Sequence, residues 1–108
     1  MRFTPLLYTI TVLIQVSPLF SQIDTLWTKT FGGTSNDYAY SVQQTTDGGY
    51  ILAGRTHSFG NGGNDVWFIK TDSDGEEQWN QTFGGTDYDY AESVQQTTDG
   101  GYILMGST

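Results

Sequence analysis

The sequence predicts an all-β chain built from similar four-stranded antiparallel sheets. Three observations lead there. Residues 27–56 align without a gap to residues 79–108 at an offset of 52, and 23 of the 30 aligned pairs are identical. Short runs rich in β-branched and aromatic residues are cut by Gly and Asp clusters, while no stretch carries 3.6-residue apolar spacing over three turns. One run, Val66-Trp67-Phe68-Ile69, is apolar at every position, so both faces of the sheet that holds it must be covered.

Taken in order, the chain opens with Met1-Arg2 and an apolar run over residues 6–20, LLYTITVLIQVSPLF, which is the n-region and h-region order of a secretory signal peptide. The run is about 15 residues long and contains Gln15 and Pro18, whereas a spanning helix needs about 20 continuous apolar residues. Ser21 is small enough to end the leader, although Leu19, two positions earlier, is larger than usual there. The expected division is a signal peptide over 1–21 and a mature domain over 22–108.

Within that domain the sequence predicts a lone strand at 26–31, a full four-stranded set over 38–83 and a half set over 90–106. The full set reads YAYSVQQT, YILAGRT, DVWFIKT and EQWNQTF. Its first pair is joined by Asp47-Gly48-Gly49 and its second pair by Asp72-Ser73-Asp74-Gly75, the turn chemistry that tight hairpins require. Aligned pairs that differ, Thr28/Asn80, Tyr40/Glu92 and Arg55/Ser107, are expected at solvent. The unchanged pairs Trp27/Trp79, Phe31/Phe83, Val42/Val94 and Ile51/Ile103 are expected to be structural.

A repeat of about 50 residues made of four short strands is the signature of a propeller blade. The predicted architecture is therefore a β-propeller, incomplete, with one whole blade and partial blades on either side. A closed propeller holds about four to eight blades, so a chain of 108 residues is expected to be a piece of a longer reading frame. The lone strand then corresponds to strand four of a blade. It is expected to complete the last blade by pairing with three further C-terminal strands, which removes exposed edges.

Composition narrows the function. Four Lys and Arg stand against twelve Asp and Glu, a formal charge of -8, and every acid lies at or after Asp24. Such a surface lacks the basic footprint of a nucleic-acid binder and is not drawn to anionic lipid. There is no cysteine, so neither disulfides nor a lipobox lipid is available. Aromatic residues make up 15% of the chain, as do charged ones, which places it far from disordered compositions.

The pattern W-x-x-T-F-G-G, D-Y-A-x-S-V, T-x-D-G-G-Y-I-L-x-G, D-V-W-F-I-K-T-D and G-x-x-x-W over residues 27–108 resembles the roughly 50-residue β-propeller repeats of exported and cell-surface proteins of bacteria and archaea. The resemblance implies a secreted or surface-displayed propeller, often part of a larger multidomain protein, with no family-wide reaction and no catalytic residues to transfer. Gly75-Glu76-Glu77-Gln78-Trp79 also matches the G-x-x-x-W piece of quinoprotein tryptophan-docking repeats, without the Ala and Thr that precede it there. The Ser73-Asp74-Gly75 turn is similar to a sialidase Asp-box, at shorter spacing. Both likenesses concern blade architecture.

Candidate chemistry is sparse. Nucleophilic catalysis needs a positioned base, and the one histidine, His57, beside Ser58, reads as a polar loop-edge residue. The local acid pairs Asp87/Asp89, Asp72/Asp74 and Glu76/Glu77 sit in or beside turns, which explains them without a two-acid hydrolase mechanism. Asp72-Ser73-Asp74-Gly75 opens like a calcium loop but lacks the third alternating ligand and the distant Glu. Residues 59–64, FGNGGN, carry neither a Walker lysine nor a dinucleotide fingerprint and read as a strand connection. The sequon Asn80-Gln81-Thr82 falls in a predicted strand.

Propeller geometry puts a ligand where loops of several blades converge. Segments 32–37, 58–65 and 84–89 belong to one rim, and Asn36, Asp37, Asn61, Asn64, Asp65, Asp87 and Asp89 are its candidate ligand residues. No metal, cofactor or catalytic residue is expected. The expected function is an exported, non-catalytic module for recognition, adhesion or scaffolding, with glycans or other surface proteins and the remaining blades as partners. The alternatives are the N-terminal part of a secreted hydrolase or lyase, and a structural surface-layer repeat.

Overall fold

The computed structural model describes residues 10–16 and 24–108. Eight strands run through them: β1 Ile10–Val16, β2 Asp24–Phe31, β3 Asp37–Gln44, β4 Tyr50–Thr56, β5 Asp65–Thr71, β6 Glu77–Phe83, β7 Tyr90–Gln96 and β8 Tyr102–Ser107. All pairings are antiparallel, and the strands form three sheets in the orders β1-β2, β3-β4-β5-β6 and β7-β8. The Ser21/Gln22 junction and the remainder of the leader-like segment lie outside the described residues.

The six strands expected over 38–106 form where the alternating runs placed them, and the strand expected at 26–31 begins two residues earlier. It is not lone. β1, drawn from the leader-like run, pairs with it from Ile10↔Phe31 to Val16↔Asp24. Val, Ile and Thr dominate β1, and a β-branched run beside an unpaired strand satisfies its backbone groups by joining that edge.

Hairpins close as the aspartates and glycines dictate. Gly48 has φ 87° and donates its N–H to Thr45 O at 3.0 Å, while Asp47 Oδ1 accepts the Gly49 N–H at 2.9 Å. Asp72 Oδ1 likewise accepts the N–H groups of Asp74 at 2.8 Å and Glu76 at 3.0 Å. Both are local side-chain to backbone turns, so the Asp72-Ser73-Asp74-Gly75 aspartate is occupied by its own loop.

The middle sheet is covered on both faces, as an all-apolar strand requires. One cluster joins Val12 to Leu52, Trp67 and Ile69, with Trp27, Phe31 and Tyr50 against it. The other joins Ile51, Ala53 and Phe68 to Ala91 and Val94, with Val66, Tyr102 and Leu104 against it. Alternate residues of β5 therefore serve opposite clusters, the period-2 rule of a strand. At the edge of the first cluster Trp27 donates its indole N–H to Ser73 O at 3.0 Å, and a Cβ placed on Gly75 would lie 2.5 Å from its ring.

Lys70 is buried with its partners in place. Lys70 Nζ donates to Thr71 O at 2.7 Å, Gln78 Oε1 at 3.0 Å and Asp47 Oδ2 at 3.0 Å. The Thr45 hydroxyl above all, then the Gly49 N–H and Lys70, hold the Asp47 carboxyl well below the usual aspartate range.

The duplication extends to irregularities. β3 and β4 slip register between Ala39 and Ser41, and β7 and β8 slip between Ala91 and Ser93, 52 residues on. The extra residue in each bulge is Tyr40 or Glu92, which accounts for the free variation of that pair. Opposite the bulge the backbones come so close that a Cβ on Gly54 would lie 1.9 Å from Tyr38 O, and one on Gly106 would lie 2.1 Å from Tyr90 O. The unchanged pairs nonetheless split in burial. Ile51 and Val94 are inside, while Ile103, Val42, Trp79 and Phe83 are exposed; Val42 and Trp79 lie on faces of the middle sheet that a two-stranded neighbour covers only in part.

Candidate functional site

Strand direction brings three connections, residues 32–36, 57–64 and 84–89, to one end of the sheets. Each glycine-containing loop is held by an aspartate of the strand it meets. Asp37 Oδ2 accepts the Gly33 N–H at 3.0 Å and the Ser58 hydroxyl at 2.7 Å, and its Oδ1 accepts the Thr56 hydroxyl. Asp89, its repeat equivalent, accepts the Gly85 N–H at 3.1 Å, and Asp65 accepts the Asn61 N–H. The loops are also tied to one another. The His57 N–H donates to Asn36 O at 2.8 Å, the Asp89 N–H to Asn64 O at 2.7 Å, and Asn61 Nδ2 to Gly84 O at 3.2 Å.

The seven rim candidates therefore fall into two groups. Asp37, Asn64, Asp65 and Asp89 are buried and brace the loops. Asn36, Asn61 and Asp87 are exposed. Beneath them, a Cβ on Gly84 would lie 2.6 Å from Asp65 Oδ1 and 2.5 Å from Asp89 Oδ2, so these two carboxylates converge. Asp65 Oδ1 and Asn64 Oδ1 are buried with no protein partner. No three His, Cys, Asp or Glu side chains converge as a metal site among the described residues.

A second feature lies between the middle and last sheets. A cleft of about 510 Å³ is lined by Tyr40, Arg55, Tyr88, Tyr90 and Glu92. The Arg55 guanidinium carbon stands 4.4 Å from the Tyr38 ring centroid, 5.0 Å from that of Tyr88 and 5.8 Å from that of Tyr40. Tyr38 and Tyr40 stack at 6.4 Å, and Tyr90 meets Tyr40 at 6.2 Å and Tyr88 at 6.0 Å, edge to face in both cases. Neither ion pair among the described residues, Lys29 with Glu76 and Lys70 with Asp47, uses Arg55.

A guanidinium is charged at all accessible pH and offers five donors. Here its charge is met by ring faces, a cation–π arrangement, and its Nε is buried with no protein partner. Aromatic faces beside an unpaired cation suit a ligand with apolar C–H faces and an acidic group. The sequence reading put Arg55 at solvent because Ser107 replaces it in the repeat, but Arg55 is half-buried among tyrosines. The signal for this cleft was the concentration of tyrosines, Tyr38 and Tyr40 at the start of β3 and Tyr88 and Tyr90 around the start of β7, which the neighbouring sheets bring to one border.

His57 is exposed, and Asn80 of the sequon lies exposed on β6. The chain matches no known protein-family model and is significantly similar to no curated protein.

Proposed function

We propose that this chain is part of a β-propeller that serves as a non-catalytic recognition or adhesion module outside the cell, with acidic glycans as its ligand class. The observation that carries the reading is the Arg55 guanidinium set among the rings of Tyr38, Tyr40 and Tyr88 at the mouth of an open cleft. The three stacked sheets, repeated at an offset of 52 with the same bulge, support the propeller architecture. The leader-like run over 6–20 supports export. A net charge of -8 argues against polyanionic partners at large and leaves a single local cation to select one acidic group.

The test is a glycan array probed with the chain, its Arg55→Ala and Tyr88→Ala variants, and a triple Asn36→Ala/Asn61→Ala/Asp87→Ala rim variant. Binding to uronic-acid or sialic-acid glycans, reduced at least tenfold by Arg55→Ala, is the expected result. Binding lost in the rim variant but kept by Arg55→Ala, or no glycan bound, sinks the assignment to the cleft.

A further inference from the structure

The three sheets are related by register. β1 pairs with β2 as β5 pairs with β6: Ile10↔Phe31 matches Val66↔Phe83, and the pairing breaks after Ile14 as it does after Lys70. β1 and β2 are thus third and fourth strands. β7 and β8 share the register and bulge of β3 and β4, so they are first and second strands. The described residues hold one whole sheet and, on opposite faces of it, the two complementary halves of another.

Burial at equivalent positions shows what each half lacks. Ile51 is 0% exposed and Ile103 59%; Ala53 is 1% exposed and Met105 63%; Val94 is 6% exposed and Val42 55%. Ile51, Ala53 and Val94 are packed in one cluster at the junction of the middle and last sheets. Their exposed counterparts are the two sides of that same junction, one on β8 and one on β3. Beside β1 a groove of about 380 Å³ is floored by Ala39, Val42, Tyr50 and Leu52 and walled by Thr11 and Val12. That is where a first-and-second-strand half would lie if it joined β1.

The polar bonds of the junction are repeated too. The Val94 N–H donates to Ser41 Oγ at 3.2 Å and the Gln96 N–H to Gln43 Oε1 at 2.8 Å. Their equivalents one repeat away are the Val42 and Gln44 N–H groups as donors and Ser93 and Gln95 as acceptors, with Val42, Gln44, Ser93 and Gln95 all exposed.

We propose that the groove takes the β7-β8 hairpin of a second copy of this chain, with β8 pairing to β1 and Ile103 and Met105 packing on Val42. The interface is head-to-tail; such contacts close into a ring when their rotation permits and run on as a fibre when it does not, and the propeller reading puts this one in a ring. Each copy contributes two sheets' worth of strands, and closed propellers hold about four to eight blades, so the ring contains about two to four copies. The inference rests on the propeller reading but not on the ligand. It concerns the chain with β1 in place, since cleavage after Ser21 removes that strand.

The test measures native mass by light scattering on the full 12.0 kDa chain. One discrete multiple of that mass, between two and four, is expected. Val42→Lys and the pair Ile103→Lys/Met105→Lys alter opposite sides of the interface at positions exposed in a single copy. Each variant alone is expected to be monomeric with an unchanged far-ultraviolet spectrum, and an equimolar mixture is expected to form a one-to-one pair through its one intact interface. A wild-type monomer, open-ended polymers, or variants that do not complement one another overturn the proposal. A chain starting at Gln22 is expected to lose the ring while the Arg55 cleft keeps its ligand, which separates failure of assembly from failure of glycan recognition.

Discussion

The same substitution at two equivalent positions gives the sharpest test of how the sheets are stacked. Ile51 and Ile103 share a repeat position and nearly the same neighbours in sequence, yet only Ile51 lies within a cluster, between Phe68 of its own sheet and Ala91 and Val94 of the next. Ile→Ala removes three carbons, a transfer cost of roughly 2.4 kcal/mol at about 0.8 kcal/mol per buried carbon. At Ile51 the neighbours on two sheets cannot both collapse into the space, so a cavity cost adds and the total falls at about 3 to 4 kcal/mol. At Ile103, which is mostly exposed in a single copy, roughly 1 kcal/mol of transfer cost remains and no cavity forms. With a urea m-value of about 1.5 kcal/mol/M, the midpoint falls by roughly 2 M or more for Ile51→Ala and by well under 1 M for Ile103→Ala. Tryptophan fluorescence against urea, on protein diluted until it is monomeric, reads both values. Equal losses, or a larger loss at Ile103, would refute the stacking of the last sheet on the middle one.

Four other outcomes follow from particular contacts. Gly54→Ala places a carbon on the Tyr38 carbonyl across the bulge, so it is expected to cost at least about 3 kcal/mol and to lower the melting temperature by roughly 15 °C in calorimetry. Gly75→Ala meets both a φ of 82° and the Trp27 ring; a red-shifted and more quenchable tryptophan emission is the expected sign that Trp27 has left its seat. Asp47→Asn removes a carboxylate held below its ordinary value of 3.8, a stabilisation present above that pH and lost as pH falls through the folded value. The variant is therefore expected to show a lower urea midpoint near neutral pH and a difference that shrinks in acid. Asp99, placed 52 residues on and held low by the Thr97 hydroxyl and the Gly101 N–H, is expected to behave with the same sign.

Much of this architecture was legible because the local signals agree. Alternating β-branched and aromatic residues, Asp-Gly turns and the duplication each point to the same strand boundaries, and β3 to β8 lie where those signals placed them. The rim was legible for the same reason: antiparallel order alone sends residues 32–36, 57–64 and 84–89 to one end. The division of labour among its residues was not. Asp37 and Asp89 look like Asp87 in sequence, but the first two sit where glycine N–H groups need an acceptor.

Composition, periodicity and self-similarity determined the sheet type, the strand order within a unit and the need for cover on both sides of β5, because all of these depend on neighbours within a few residues. Tertiary structure alone decided which copy of each repeated residue is buried. Ile51 and Ile103 are identical in kind, and only the presence of β5 beside β4 and of β7 above it separates them. Tertiary structure also decided that residues 10–16 pair along β2, since the free edge of β2 offers them hydrogen bonds that the sequence does not display. The Arg55 cleft arose in the same way, from two sheets brought face to face by hydrophobic cover, with a cation and four tyrosines meeting at their border.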